Sequence, residues 1–230
     1  MALAASAQPS FGTWTTNGLS DTAIFDRNCR QCSRLAKFLD DVKGRYPEYY
    51  CGPVPPFGDS AARFLVVGLA PGMHGANRSG RPFTGDHAGI LLYQKLHKYG
   101  FASRDHSESV DDGLKLIDAR ISNAVKCLPP DNKPVGAEIN TCNTFLAAEL
   151  EMLPPDAVVM ALGGIAHRAI VKARGLPQSA FKFGHGALHD LDGLRVLDSY
   201  HCSRYNTNTR RLTEAMFDEI FATARRLLDS

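Results

Sequence analysis

The sequence predicts a three-layer α/β/α domain built on a central, mostly parallel four-stranded sheet. Four short apolar runs have the length of buried strands, and stretches with helical spacing lie between them. Parallel neighbours in a sheet must be joined by a crossover, which is usually a helix, so this alternation favours parallel pairing. The predicted strands are residues 62–69, 119–127, 156–163 and 194–201.

The predicted helices begin with residues 28–42, where Asn28 is a suitable N-cap. Residues 46–61 come next and are too rich in proline and glycine for regular structure. The later helices alternate with the strands, and glycine ends two of them, as it commonly does at a helix C-terminus. These later helices are residues 88–100, 136–153, 164–175 and 211–230.

Length and composition indicate one globular domain. With 230 residues and 44% hydrophobic content, the chain can bury a sizeable core as residues 21–230, and residues 1–20 are expected to form a flexible tail. The tail lacks the charged and apolar regions of a signal peptide, and no apolar run is long enough to span a membrane. We therefore expect a cytoplasmic monomer. Because the net charge is only +2, an anionic partner must bind a local basic patch.

A glycine-rich stretch, GLAPGMHGANRSGRPFTGD (68–86), follows the first predicted strand. Ligands bind beyond the carboxyl ends of parallel strands, so this loop and the segments after the other three strands are expected to meet at one edge. Its small residues allow a ligand to approach the backbone closely. A phosphate cradle is one interpretation, but the loop has neither the Gly-Lys-Ser/Thr of a Walker loop nor the compact GxGxxG spacing.

Four of the six cysteines are predicted to form a metal site. Cys29 and Cys32 are three residues apart on the first turn of a predicted helix, so their thiols are expected to face the same way. Cys127 ends the second strand, and Cys142 lies in the helix that follows. Four soft ligands suit tetrahedral zinc or a four-iron cluster, and the spacing does not decide between them. The alternative is that Cys127 and Cys142 are ordinary buried thiols.

Four segments resemble the family-five uracil-DNA glycosylases of the UdgB type: the glycine-rich loop, ISNAVKCLPPDNKP, FGHGALHDLDG and SYHCSRYNTNTRRLT. With the cysteines, the resemblance extends in the family's order from Cys29 to about Leu228. It implies a monofunctional DNA glycosylase that hydrolyses the N-glycosidic bond of uracil in DNA during base excision repair. It also implies activity on other deaminated bases, such as hypoxanthine and xanthine. The implied cofactor is a 4Fe-4S cluster bound by Cys29, Cys32, Cys127 and Cys142.

The resemblance implies three catalytic residues. Asp86 would handle water or the sugar's positive charge, and the alternative is that it only caps the following helix. His201 would donate a hydrogen bond to the base carbonyl as negative charge builds up there. Asn123 would read the Watson–Crick edge of the base, since an amide offers a donor and an acceptor, and the alternative is a buried asparagine that holds backbone. The residues expected to contact the substrate are Gly68, Leu69, Ala70, Gly72, Phe83 and Asn206.

Two positions set this loop apart from the related family-one enzymes. Gly72 stands where those enzymes have a tyrosine that blocks the thymine methyl, and Ala70 stands where they have a carboxylate. The resemblance therefore implies a wider pocket, with the water handled elsewhere. Phe83 could stack on the flipped base or could equally belong to the core.

Basic residues near the last strand are the expected DNA contacts. Residues 202–211 contain three arginines and no acid, and residues 173–189 are also free of acids. Arg204 and Tyr205 are candidates to enter the gap left by a flipped nucleotide, and Arg210 is a candidate to bind phosphate. The alternative is a solvated basic face.

Cys202 stands where the family usually has proline. A nucleophilic pair with His201 is conceivable, but adjacent residues on a strand point to opposite faces. For the chain as a whole, the alternative function is a non-catalytic, zinc-bearing nucleic-acid-binding module.

Overall fold

The computed structural model describes residues 25–230, preceded by two paired two-residue strands, β1 (Thr15–Thr16) and β2 (Leu19–Ser20). The predicted tail, residues 1–20, otherwise lies outside the described residues, and a domain starting at residue 21 stays a prediction. Across the described part of the chain, no helix is long and apolar enough to cross a membrane.

A six-stranded sheet forms the centre of the fold, in the order β3-β5-β4-β6-β8-β7. Its four inner strands run parallel to one another, whereas β3 and β7 are antiparallel to their neighbours at the two edges. The strands are β3 (Phe57–Gly58), β4 (Phe64–Gly68), β5 (Ala119–Asn123), β6 (Val158–Leu162), β7 (Leu188–Leu191) and β8 (Leu194–Ser199).

The predicted four-stranded sheet is therefore correct for the parallel centre and wrong in strand number. Strand β3 is two residues long and lies within the proline-rich stretch, so it has no periodicity to detect. Strand β7 buries only Leu191, so no apolar run marks it. It pairs with β8 through a two-residue turn at Asp192 and Gly193, both with positive φ, as such hairpin turns require.

Seven helices surround the sheet within the described residues. They are α1 (Ser33–Arg45), α2 (Ala76–Ser79), α3 (His87–Lys98), α4 (Gly136–Glu151), α5 (Gly164–Ala173), α6 (Arg204–Asn208) and α7 (Glu214–Leu228).

The start of the first helix was predicted wrongly. Helix α1 begins at Ser33 with Cys32 as its N-cap residue, so Cys29 precedes the helix and Asn28 does not cap it. The side chain of Asp26 accepts a hydrogen bond from the Asn28 backbone N–H at 2.8 Å, which turns the chain before the helix can begin.

The helices cover both faces of the sheet, which confirms the three-layer architecture. Along β4, Phe64 and Val66 belong to the core shared with α3 and α7, whereas Leu65 and Val67 belong to the core shared with α4 and α5. Burial on both faces explains why the parallel strands are continuous apolar runs in the sequence.

Candidate active site

A cleft of about 410 Å³ opens at the carboxyl ends of β4, β5 and β8, a size typical of small-ligand sites. The three predicted catalytic residues all line it, although they come from three separate parts of the chain. The residues around the cleft are Leu69, Ala70, Gly72, Ala76, Phe83, Asp86, His87, Ala88, Asn123, Asn132, His201, Ser203 and Arg204.

Asn123 is the last residue of β5 and is almost completely buried. Its side-chain Oδ1 has no hydrogen-bond partner among the described residues, although an unpaired buried acceptor is costly. Gly68 permits this position, because a Cβ there would collide with Asn123 Oδ1 and would lie 2.7 Å from the Phe83 ring. Asn123 thus brings an unused acceptor to the cleft.

Asp86 is the N-cap of α3, and its Oδ1 accepts the Gly89 backbone N–H at 2.8 Å. Its Oδ2 faces the glycine-rich loop: a Cβ built on Gly75 would lie 2.6 Å from Oδ2, and one on Gly72 would lie 3.6 Å away. Burial raises the pKa of Asp86, against the opposing effect of the Gly89 and Ala88 backbone amides. Capping therefore uses one carboxylate oxygen and leaves the other next to the loop.

His201 follows β8, and its ring stacks on Phe83 with centroids 5.9 Å apart and planes inclined by 27°. Burial lowers the pKa of His201 to about 4, so the imidazole is neutral at pH 7. The Asn206 side chain donates a hydrogen bond from Nδ2 to the His201 carbonyl at 2.8 Å. His201 is thus a neutral donor whose backbone is held by Asn206.

The four predicted metal ligands line a second cavity, between the start of α1, the segment after β5 and helix α4. Burial raises the pKa of Cys127 to about 12, and the other three thiols reinforce this rise. Burial likewise raises the pKa of Cys142 to about 11, although the nearby Lys126 opposes it. Cys29 and Cys32, placed wrongly on a helix by the sequence, nevertheless reach the same cavity.

The four thiols do not form a compact group of metal ligands. Among the described residues, no three cysteine sulfurs lie within 4.8 Å of one another. In tetrahedral thiolate zinc, bonds of about 2.3 Å place the sulfurs about 3.8 Å apart. The only described set of three potential ligands that is so compact contains no cysteine and consists of His167, His189 and Asp198.

Comparison with known proteins decides the family. The family model described as "Uracil DNA glycosylase superfamily" matches residues 55–225. The chain belongs to this superfamily. It is a hydrolase of the N-glycosylase class. The resemblance in the sequence is thereby confirmed.

Several type-5 uracil-DNA glycosylases are similar to this chain. The Thermus thermophilus protein is 47% identical over 205 residues, which are 86% of this chain and 93% of that protein. The Pyrobaculum aerophilum protein is 44% identical over 201 residues, covering 86% and 88%. A type-4 uracil-DNA glycosylase from Thermotoga maritima is 33% identical over 147 residues, covering 64% and 67%.

The residues predicted to bind DNA lie on or next to the short helix α6. Arg204 reaches the cleft, whereas the Tyr205 side chain is 71% exposed and Arg210 follows the helix with a positive φ. Asn206 does not line the cleft and contacts the backbone of His201 instead. The DNA-binding roles of these residues stay predictions.

Asn132, a possible polar contact from the sequence, lines the cleft, whereas four other cleft residues were not predicted: Ala76, His87, Ala88 and Ser203. Two of them, Ala76 and Ser203, lie in or next to short helices. Helices α2 and α6 have too few residues to show helical periodicity in the sequence. Ser203 is recognisable as the N-cap of α6, since its side chain accepts the Asn206 backbone N–H.

Cys202 is buried in the core and does not line the cleft. Its thiol donates a hydrogen bond to the Ala88 carbonyl at 3.4 Å, and burial raises its pKa. A thiol held protonated in this way is a poor nucleophile, which agrees with the opposite faces expected for Cys202 and His201.

Proposed function

We propose that this chain is a monofunctional uracil-DNA glycosylase of base excision repair that also removes other deaminated bases, hypoxanthine and xanthine among them. The observation that carries the proposal is the unpaired Asn123 Oδ1 in a cleft that Asp86 and His201 also line. An acceptor that the protein leaves unpaired favours a ligand that brings a donor, and deaminated bases supply one.

Base selection follows from the amide of Asn123. Its Oδ1 accepts the N3–H of uracil while its Nδ2 donates to the neighbouring carbonyl. Hypoxanthine presents the same N–H and carbonyl at N1 and C6, so it satisfies the same amide. With the amide in this orientation, cytosine presents an acceptor to Oδ1 and an amino group to Nδ2, which leaves Oδ1 unpaired and is disfavoured. With Gly72 in the loop, the cleft has room for a purine.

Bond cleavage leaves the bonding electron pair on the base and positive charge on the sugar. Neutral His201 donates an N–H to the base carbonyl, where the negative charge collects, and the stacked Phe83 ring supports the imidazole of His201. Asp86 Oδ2 balances the sugar's charge and orients the water that attacks the anomeric carbon. Its raised pKa makes it a better proton acceptor for that water.

The donor set at the second cavity fits a 4Fe-4S cluster better than a single zinc ion. All four donors are cysteine sulfurs around one cavity, and no three of the described sulfurs lie as close together as a single zinc ion requires. Such a cluster would serve a structural role, tying the segment before α1 to the end of β5 and to α4. No catalytic step passes through it.

The DNA substrate would lie across α6. Arg204 and Arg210 supply positive charge for phosphates, and the exposed Tyr205 is suited to fill the gap left by the extruded nucleotide. Residues 173–189 also contain no acid, so they add no negative charge that would repel phosphates.

The test is Asp86→Asn under single-turnover conditions with uracil- and hypoxanthine-containing duplexes. The amide keeps a capping oxygen but loses the charge, so we expect normal melting, retained DNA binding and cleavage slower by about a hundredfold. Asp105→Asn is the control, because Asp105 is an exposed carboxylate paired with His106 at the surface. Wild-type cleavage by Asp86→Asn would restrict Asp86 to helix capping.

Two further outcomes concern the wild-type protein. Cleavage of uracil but not of hypoxanthine would contradict the wide pocket and leave uracil excision standing. Binding of uracil-containing DNA without any cleavage would favour the non-catalytic binding module instead.

A further inference from the structure

His167, Asp198 and His189 form a cluster that no step of base excision uses. Asp198 lies on β8 and is completely buried, which is costly for a charge without partners. His167 on α5 contacts Asp198 Oδ1 through Nδ1 at 2.8 Å. His189 on β7 contacts Oδ2 through Nε2 at 3.0 Å. The cluster thus joins three elements beside the carboxyl end of the sheet.

The hydrogen-bond partners of the His167 ring indicate its charge state. Its Nδ1 faces a carboxylate oxygen, and its Nε2 lies 3.0 Å from the Phe181 carbonyl oxygen. When Asp198 is ionised, both partners can only accept hydrogen bonds, and both ring nitrogens of His167 then carry a proton. In that state His167 is an imidazolium ion paired with the Asp198 carboxylate. The other titratable or charged groups near this ring are His189 and Arg168.

The cluster holds the loop formed by residues 181–187. His167 binds the first carbonyl of this loop, and the Gly184 backbone N–H donates to Asp198 Oδ2 at 3.1 Å. The Gly186 N–H donates to the Asp198 carbonyl at 2.9 Å. Residues 183–187 of the loop belong to the FGHGALHDLDG segment, to which base excision gives no role.

The same loop contacts the residue directly before His201. His185 Nδ1 accepts the Tyr200 backbone N–H at 3.1 Å, and the two rings stack with centroids 4.9 Å apart. Phe183 packs against Tyr200 as well. A displacement of the loop would therefore move the backbone that aims His201.

We propose that His167, Asp198 and His189 form a charged latch, which fixes the 181–187 loop against the end of β8 and so positions His201 for base excision. The proposal rests on the function proposed above. The latch residues are positioning residues, since none of them lines the cleft.

The first experiment measures the protonation of His167 in the wild-type protein. Long-range ¹H–¹⁵N correlation spectra distinguish an imidazolium ring from either neutral tautomer. We expect both nitrogens of His167 to be protonated at pH 7, while His201 is neutral. A neutral His167 at pH 7 would overturn the latch, and so would a tightly bound metal ion held by these three residues.

The second experiment compares variants in single-turnover uracil excision. We expect His167→Gln and the milder His185→Ala, which cuts only the link to Tyr200, to lower the cleavage rate about tenfold. The dissociation constant for DNA should change less than twofold. His106→Gln is the matched control, because it breaks a His–Asp pair at the surface.

The outcomes separate the two proposals. Wild-type cleavage rates in folded His185→Ala would overturn the latch while base excision stands. If His167→Gln does not fold, His185→Ala and the protonation of His167 still decide the question. Absence of cleavage by the wild-type protein would instead contradict the proposed function.

Discussion

Two glycines of the same loop offer a sensitive test of where the Asp86 carboxylate must lie. In Gly75→Ala, the new Cβ would be 2.6 Å from Asp86 Oδ2 and 2.7 Å from its Cβ. In Gly72→Ala, the nearest atom is the same Oδ2 at 3.6 Å, an ordinary contact. Both variants add one methyl group to a glycine of the loop, but only Gly75→Ala displaces the Asp86 carboxylate.

The size of the effect follows from the distance. To reach an ordinary contact of 3.4 Å, the Gly75→Ala side chain and the carboxylate must separate by about 0.8 Å. A misplacement of about 1 Å in a catalytic group can cost about a hundredfold in rate, so we expect cleavage to slow between about tenfold and a hundredfold. Loss of the cap to Gly89 would cost about 1 kcal/mol. For a chain of this length, that lowers the melting temperature by about 2–4 °C.

The assay is single-turnover excision from a uracil-containing duplex, together with thermal melting. Gly72→Ala should cleave uracil at nearly the wild-type rate, since its methyl group displaces nothing. If Gly75→Ala cleaves and melts like the wild type, the second oxygen of Asp86 is not used in the way proposed. Equal losses in both variants would point to the loop backbone instead of the carboxylate.

Three further predictions concern other parts of the molecule. Cys142→Ala should lose the visible absorbance of an iron–sulfur protein and much of its solubility, whereas Cys51→Ala should keep both. Tyr205→Ala should slow excision about tenfold in duplex DNA and leave excision from single strands unchanged, because only the duplex has a gap to fill. Burial alone lowers the pKa of His167, but its hydrogen bonds to Asp198 and Phe181 raise it overall. Its contribution to stability should therefore be complete below about pH 6.5 and fall as the pH rises through the raised value, and His167→Gln should flatten this part of a melting-versus-pH curve.

The parallel centre of the fold could be predicted because burial on both faces leaves a plain signal. Residues 64–68 and 158–162 are both apolar runs followed by a helix, and helices flank residues 158–162 on both sides, which favours parallel pairing through crossovers. The edge strands leave no such signal. For β7, however, the Asp192–Gly193 pair between two short runs was a readable hairpin turn.

The latch was harder to find from the sequence because its members are far apart in the chain. His167 lies 31 residues before Asp198, and no local pattern brings them together. One signal was available: Asp198 interrupts the apolar run of β8, and a carboxylate in a strand buried on both faces needs partners. The identity of those partners depends on how α5 and β7 pack, which only the structure supplies.

Asp86 shows why two functions of one residue cannot be separated by sequence. Capping and catalysis are alternatives when only residue types are considered, since either accounts for an aspartate before a helix. The structure assigns Oδ1 to the Gly89 N–H and leaves Oδ2 beside the glycine-rich loop. The helix then orients the carboxylate, while burial among small residues raises its pKa. Asp86 can use one oxygen for capping and the other for catalysis only with glycine at position 75, because any side chain there would occupy the space of the carboxylate.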